Sequence, residues 1–187
     1  MIEVKINGIS MNFNTSPNLF SPKGLDAGTH AMLSCVSFSQ ADKVLDLGCG
    51  YGVVGIYAAL LIGAERVTMA DIDKNAVAVA RENARLNDVP GIQIYQSDGF
   101  KGIDDTGYTI ILSNPPYHSD FSVAKHFIEK GFNRFVMGGR LVMVTKRRDW
   151  YKNKLVSIFG GVKVKEIDGY FVFMAEKRSP SYAKKAH

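Results

Sequence analysis

Two cysteines, Cys35 and Cys49, are the entire thiol content of this 187-residue chain. They do not make the disulfide framework of a small secreted domain, and the segment Met1-Ile2-Glu3-Val4-Lys5 has neither a basic leader nor an apolar signal core. A reducing cytoplasm is the expected compartment. Long hydrophobic runs are also lacking. The longest nearly continuous apolar stretch, 53–64, is well short of the roughly 20 residues a membrane helix needs, and it reads as a buried helix. Histidine is scarce, and His30, His118 and His126 have no metal-like spacing with other ligands, so no metal is expected. No internal repeat is present.

What is there suits one domain with a real core, since 46% of the residues are hydrophobic and 22% charged. The net charge of +5 conceals a division. Residues 1–124 hold 8 Lys/Arg against 13 Asp/Glu, whereas residues 125–187 hold 15 against 5, so the two parts carry −5 and +10. Such asymmetry points to a polyanionic partner on the C-terminal part and an uncharged or cationic ligand on the acidic part.

Ile2, Val4 and Ile6 alternate with polar residues, as do Ile9, Met11 and Phe13, and Asn7-Gly8 between them predicts a β-hairpin. A first helix is expected over 25–38. Strands near 43–47, 66–71, 92–96, 108–113 and 140–146 then alternate with helices near 52–62, 74–87, 119–135 and 149–159. That alternation predicts a parallel sheet covered on both faces. Asp73 is the expected N-cap of the third helix, whose buried positions would be Ala76, Val79, Ala80, Asn83 and Leu86. Runs 162–167 and 170–175 flank Asp168-Gly169 and predict a closing antiparallel hairpin.

Ligands of an open α/β sheet bind beyond the carboxyl ends of the strands. Four successive ends here carry polar groups: Asp46, then Asp71 and Asp73, then Asp98, then Asn114. The first runs into Gly48-Cys49-Gly50-Tyr51-Gly52, a strand, glycine loop and helix unit in which a cofactor can touch backbone. Gly50 to Gly55 also fits the dinucleotide pattern G-x-G-x-x-G, with Asp71 at about the expected distance of roughly 20 residues. A pyrophosphate would, however, lie beside Asp46, and like charges near ~4 Å at a protein surface cost several kcal/mol. S-adenosylmethionine, which brings a sulfonium and an ammonium and no phosphate, suits the carboxylates better. At the fourth end, Asn114-Pro115-Pro116-Tyr117 offers an acceptor, two rigid prolines and an aromatic ring, a set that can hold a planar amine for methylation.

With these motifs in place the chain resembles class I S-adenosylmethionine-dependent methyltransferases, and within them the small-domain ribosomal RNA guanine-N2 methyltransferases, the RsmC-like group. The residues that carry the resemblance are Phe20-Ser21-Pro22-Lys23-Gly24-Leu25-Asp26-Ala27-Gly28-Thr29, Val44-Leu45-Asp46-Leu47-Gly48-Cys49-Gly50 and Ser113-Asn114-Pro115-Pro116-Tyr117. The resemblance implies a Rossmann-like α/β fold with a seven-stranded, mostly parallel sheet in the order 3-2-1-4-5-7-6, strand 7 antiparallel and helices on both faces. It implies that the glycine loop, with Gly48, Cys49, Gly50 and Gly52, holds the methionine part of the cofactor, Asp71 the ribose hydroxyls and Asp98 the adenine, with Asp46, Ile72, Gly99 and Asn114 also in the cofactor site. Asp26, Gly28 and Thr29 would close over the methionine end. The long proteobacterial members are similar to a tandem of a degenerate and a catalytic copy, and this chain matches the catalytic copy. The organisation expected is a hairpin extension over 1–19, a catalytic domain over 20–178 and a flexible basic tail over 179–187.

The substrate implied is an exocyclic amine of a base in RNA, most specifically guanine N2 of small-subunit ribosomal RNA. Asn114, Pro115, Pro116 and Tyr117 would act on it, with Tyr117 stacking on the base. Lys146, Arg147 and Arg148, directly after the fifth strand, are the expected phosphate contacts. Adenine-N6 methylation of transfer RNA, glutamine methylation of release factors and non-enzymatic RNA binding remain as alternatives.

Overall fold

A computed structural model describes residues 1–19, 21–116 and 120–183. Strands β1 (Ile2–Ile6) and β2 (Ile9–Phe13) form a separate antiparallel hairpin. Asn7 and Gly8 both adopt positive φ (48° and 82°), which suits a two-residue turn whose twist matches its strands. The inward side chains Val4, Ile6, Met11 and Phe13 are buried in the core shared with the first three helices.

The main sheet contains β3 (Val44–Leu47), β4 (Val67–Asp71), β5 (Gln93–Gln96), β6 (Tyr108–Ser113), β7 (Phe135–Thr145), β8 (Lys163–Ile167) and β9 (Tyr170–Glu176). Its spatial order is β5-β4-β3-β6-β7-β9-β8. Counted within this sheet, that is the expected 3-2-1-4-5-7-6, and β9 is antiparallel to both of its neighbours. Central strand β6 shows why alternation is absent from its sequence: Ile110, Ile111 and Leu112 are all buried, because each face is covered. Helices α1 (Ala27–Ser34), α2 (Val53–Ile62) and α3 (Lys74–Leu86) share one core with the hairpin, while α4 (Ser122–Phe132) and α5 (Asp149–Phe159) enclose the other.

Several elements differ from expectation. Helix α1 is confined to 27–34, because the Asp26 side chain caps it by accepting the Thr29 N–H (2.8 Å) and the Cys35 N–H turns back to Met32 O at the other end. Asp73 caps α3 as expected, accepting the Asn75 N–H at 2.8 Å. The buried stripe of α3 is nevertheless Ala76, Val77, Ala80, Asn83 and Ala84, and Leu86 is 44% exposed. Small residues four apart let this helix lie close to the sheet. Strand β7 begins five residues early, since a register shift between Tyr108 and Ile110 absorbs the segment containing Gly138 and Gly139.

The tail is the largest difference. Lys177 is buried, its ammonium donating to the carbonyls of Phe132 (3.0 Å) and Phe135 (3.3 Å). Tyr182 packs edge-on against Phe132 and donates to Glu129 O (2.8 Å), and the Ala183 N–H donates to Ile158 O (3.0 Å). The expected flexible tail is therefore docked on α4 and α5 as far as Ala183, through an aromatic ring and satisfied backbone groups.

Candidate active site

The carboxyl ends of β3, β4, β5 and β6 open into a cleft of about 360 Å³, within the usual range of small-molecule sites. Its floor is the glycine loop. Gly48, Gly50 and Gly52 all adopt positive φ (76°, 56° and 105°), where side chains are strained. A Cβ at Gly50 would meet nothing within 4 Å, so the missing side chain leaves room for a ligand against the backbone. The loop is pinned to β4, because the Gly48 and Cys49 N–H groups donate to Ala70 O (2.8 and 2.9 Å) and the Gly50 N–H donates to Asp71 Oδ2 (2.8 Å). Gly55, last of the dinucleotide-like pattern, serves packing: a Cβ there would lie 2.3 Å from Met69 Sδ.

Four carboxylates line the cleft, those of Asp26, Asp46, Asp71 and Asp98, and no Lys, Arg or His stands among the described lining residues. Asp46 is only 3% exposed and accepts the Gly55 N–H at 2.9 Å. Burial pushes its carboxyl up to about 7, the Gly55 N–H pulls it down in part, and Asp71 raises it again. Burial, followed by Asp46 and Asp71, also raises the Cys49 thiol, which disfavours the thiolate a nucleophile needs. Asp71 divides its oxygens between the N–H groups of Gly50 and Asp73 (2.9 Å). The Asp98 side chain is 60% exposed and paired with Lys101 at 3.2 Å. Ile72, 64% exposed, presents an apolar surface at the mouth between these two carboxylates.

At the end of β6 the Asn114 amide nitrogen donates to Asp26 Oδ2 (2.8 Å) and Thr29 Oγ1 (3.1 Å). Asp26 Oδ2 also accepts the Thr29 N–H, so one carboxylate caps α1 and orients the amide. A carboxylate can only accept, which commits the Asn114 nitrogen to it and leaves Oδ1 for another partner. Pro115 is buried and Pro116 exposed, both lining the cleft, while Tyr117 lies outside the described residues.

The structure thus gathers Asp26, Thr29, Asp46, Gly48, Cys49, Gly50, Gly52, Asp71, Ile72, Asp98, Gly99, Asn114, Pro115 and Pro116 around one cleft. Gly28 is the exception. It does not line the cleft, and a Cβ there would approach the Tyr170 ring to 2.9 Å, so its glycine serves close packing of α1 on β9. Gly99 has a second constraint, because a Cβ there would meet the His126 imidazole at 2.5 Å. Lys146, Arg147 and Arg148 are exposed on the same rim, Lys146 over the Tyr170 ring (5.0 Å), Arg147 over the Phe121 ring (5.0 Å) and Arg148 beside Asp149 (3.1 Å).

The roles of two residues escaped the sequence reading. Tyr51, inside the glycine loop, donates to the carbonyls of Ser21 (3.3 Å) or Gly24 (3.1 Å), holding segment 21–24 at the mouth of the cleft. Burial and then Asp26 push its phenol up to about 12, so it stays a donor at neutral pH. Asn83, 0% exposed, donates to Asn14 O (2.9 Å) and Tyr51 O (2.8 Å) and accepts the Asn14 N–H (2.7 Å). It ties the hairpin to the glycine loop. Asn83→Ala leaves these backbone groups unpaired, and we expect a stability loss of about 2–3 kcal/mol in urea denaturation. A loss below about 0.5 kcal/mol would contradict the tie, being no larger than an ordinary surface change.

The family model described as Methyltransferase small domain matches residues 10–175. The chain belongs to the methyltransferase small-domain family. Among curated relatives, the Ribosomal RNA small subunit methyltransferase C of Haemophilus ducreyi is 37% identical over 156 residues, which cover 79% of this chain and 46% of the relative. The uncharacterized protein YbxB of Bacillus subtilis is 28% identical over 92% of this chain and 89% of its own length. Among solved structures, the Thermus thermophilus 16S rRNA N2 G1207 methyltransferase (RsmC), in complex with AdoMet and guanosine, has a TM-score of 0.81 at 26% identity, covering 95% of this chain and 50% of that one. The chain therefore spans about half the length of the ribosomal RNA methyltransferases it matches and nearly all of YbxB.

Proposed function

We propose that this family member transfers a methyl group from S-adenosylmethionine to an exocyclic amine of a base in RNA, and that the base is guanine, methylated on N2, in small-subunit ribosomal RNA. The observation that carries the reading is the cleft itself: four carboxylates, no basic residue among those described in its lining, and an oriented amide oxygen at one end. The relatives support RNA as the substrate class, and the Thermus thermophilus structural neighbour is a 16S rRNA N2 G1207 methyltransferase.

The residues present fit the cofactor. Backbone lies bare at Gly50, acidic groups face a cationic ligand, and the half-buried Asp71 retains unused lone pairs for ribose hydroxyls. A pyrophosphate would meet the repulsion of these carboxylates with no Lys, Arg or His among the described lining residues. When bound, the cofactor supplies an electrophilic methyl on a sulfonium.

The chain's own residues position the amine. A purine exocyclic amine is a poor nucleophile because its lone pair is delocalised into the ring. Asn114 Oδ1 accepts one of its N–H groups and the Pro115 carbonyl the other, which draws the nitrogen toward tetrahedral geometry. Asp26 and Thr29 keep the amide from turning its nitrogen to the base. No dedicated base is required, since the methylated nitrogen is strongly acidic and loses its proton to water. Catalysis is positioning plus preorganised polar contacts. The target base must leave its stack to enter.

The test is incubation with labelled S-adenosylmethionine and, in parallel, small subunits, large subunits, naked ribosomal RNA and transfer RNA, followed by nucleoside digestion. N2-methylguanosine from the small-subunit RNA is expected. The large-subunit arm is included because a Klebsiella pneumoniae relative, Ribosomal RNA large subunit methyltransferase G, is 29% identical over 91% of this chain. Label in 6-methyladenosine, or in none of the RNAs, would overturn the guanine reading.

A further inference from the structure

Beyond the cleft, a continuous row of side chains runs along the rim from Asn114. Asn114 is bonded to Asp26, Gly28 lies so near the Tyr170 ring that a Cβ there would approach it to 2.9 Å, and Lys146 lies over that ring. Next along the chain, Arg147 lies over Phe121, and Phe121 stacks on Trp150 with centroids 4.4 Å apart and planes 7° from parallel. Phe121 thus meets the Arg147 guanidinium and the parallel indole of Trp150 at once. The result is a stack of Phe121 on Trp150 with the Arg147 cation held against it. We propose that this stack is a nucleobase platform, on which a nucleotide flanking the target base in the RNA continues the pile on Trp150. The proposal rests on the RNA reading above.

Trp150 packs at the border of the core that α5 helps to enclose, but not on the helix's fully buried stripe. The side chains α5 buries are Tyr151, Leu155, Ile158 and Phe159, a stripe at helical spacing that Trp150 lies outside. Trp150 stays half-buried, with one face on Phe121 and a T-shaped contact to Tyr151 (5.3 Å). Rigid aromatic faces next to exposed Lys146, Arg147 and Arg148 are the combination that binds single-stranded nucleic acid, the rings taking bases and the cations tracking the backbone. The acidic groups nearby are Asp149, paired with Arg148, and Asp120, bonded to Ser122. Phe121 follows β6, and Arg147 and Trp150 follow β7, so the stack lies beyond the carboxyl ends of two adjacent parallel strands, on the edge where the target base must enter.

Trp150 is the one tryptophan of the chain, so protein indole emission reports on this residue alone. The experiment titrates the intact chain, without cofactor, with a single-stranded RNA oligonucleotide and with an abasic strand of the same length. Methyl transfer to the same oligonucleotide is measured separately. We expect the RNA to quench Trp150 and the abasic strand not to. Trp150→Leu weakens RNA binding about 5- to 150-fold with an unchanged salt slope, because indole carries no charge. Trp150→Phe recovers most of that loss, and thermal melting of both variants checks that they fold. Equal quenching by the abasic strand, or wild-type RNA affinity in Trp150→Leu, would overturn the platform. RNA that is methylated without quenching overturns the platform alone, whereas RNA that is neither bound nor methylated overturns the RNA reading with it.

Discussion

Asn114→Ala lowers turnover of methyl transfer by about 100- to 1,000-fold while cofactor affinity stays nearly constant, the cost expected for one preorganised polar contact at a reacting centre. The amide oxygen is aimed because its nitrogen is held by Asp26 and Thr29. Asp26→Ala should therefore reproduce much of the loss, with an added stability cost of about 1 kcal/mol for the missing helix cap. Single-turnover transfer from labelled cofactor, set beside calorimetric cofactor binding, separates the two effects. An Asn114→Ala rate equal to wild type would remove this side chain from the chemistry.

Cofactor affinity rises about tenfold per pH unit on approaching pH 7 and levels above it. Burial holds the Asp46 carboxyl up at about 7, against 3.8 for the free group. A cation in the cleft favours the ionised carboxylate, so below that value binding must also expel a proton. Stability of the cofactor-free chain runs the other way. The folded state holds a proton that the unfolded chain releases, so the Asp46 contribution is full below about pH 4 and is lost as pH rises through about 7, roughly 4 kcal/mol in all. Asp46→Asn keeps an acceptor for the Gly55 N–H. It should flatten both profiles and, near pH 8, leave a more stable chain that binds cofactor less tightly. Asp71 and Cys49 stand close by, so the Asn variant is the control that assigns the slope to Asp46. A flat affinity profile in the wild type would mean that Asp46 does not sense the cofactor's charge.

The parts of the site legible in the sequence are those that backbone geometry dictates locally. A buried strand running into glycines, a carboxylate at each strand end and Asn-Pro-Pro after the fourth strand can be read from short segments, and the structure gathers them into one cleft. Contacts set by distant partners were not legible. Asn83 falls on the stripe expected to be buried, but its partners, Asn14 and Tyr51, arrive from elsewhere in the chain and leave no local signal. Gly28 sits in a ligand-like motif, yet its requirement for glycine comes from Tyr170, far along the sequence. The three consecutive cations after β7 can be read from the sequence, but not the aromatic rings beneath two of them, which only the folded rim assembles. The docked tail was hidden for a related reason: Lys177 and Tyr182 read as solvated until carbonyls of 129–135 are placed beside them.

The central claim is that the acidic cleft presents a sulfonium methyl to an amine held by Asn114. A crystal structure of the chain with S-adenosylhomocysteine and guanosine tests it most directly. The account predicts the thioether sulfur above the glycine loop, the ribose at Asp71 and the guanosine N2 within hydrogen-bonding distance of Asn114 Oδ1. Cofactor bound outside this cleft, or an Asn114 amide that has left Asp26 and turned its nitrogen toward the base, would contradict it.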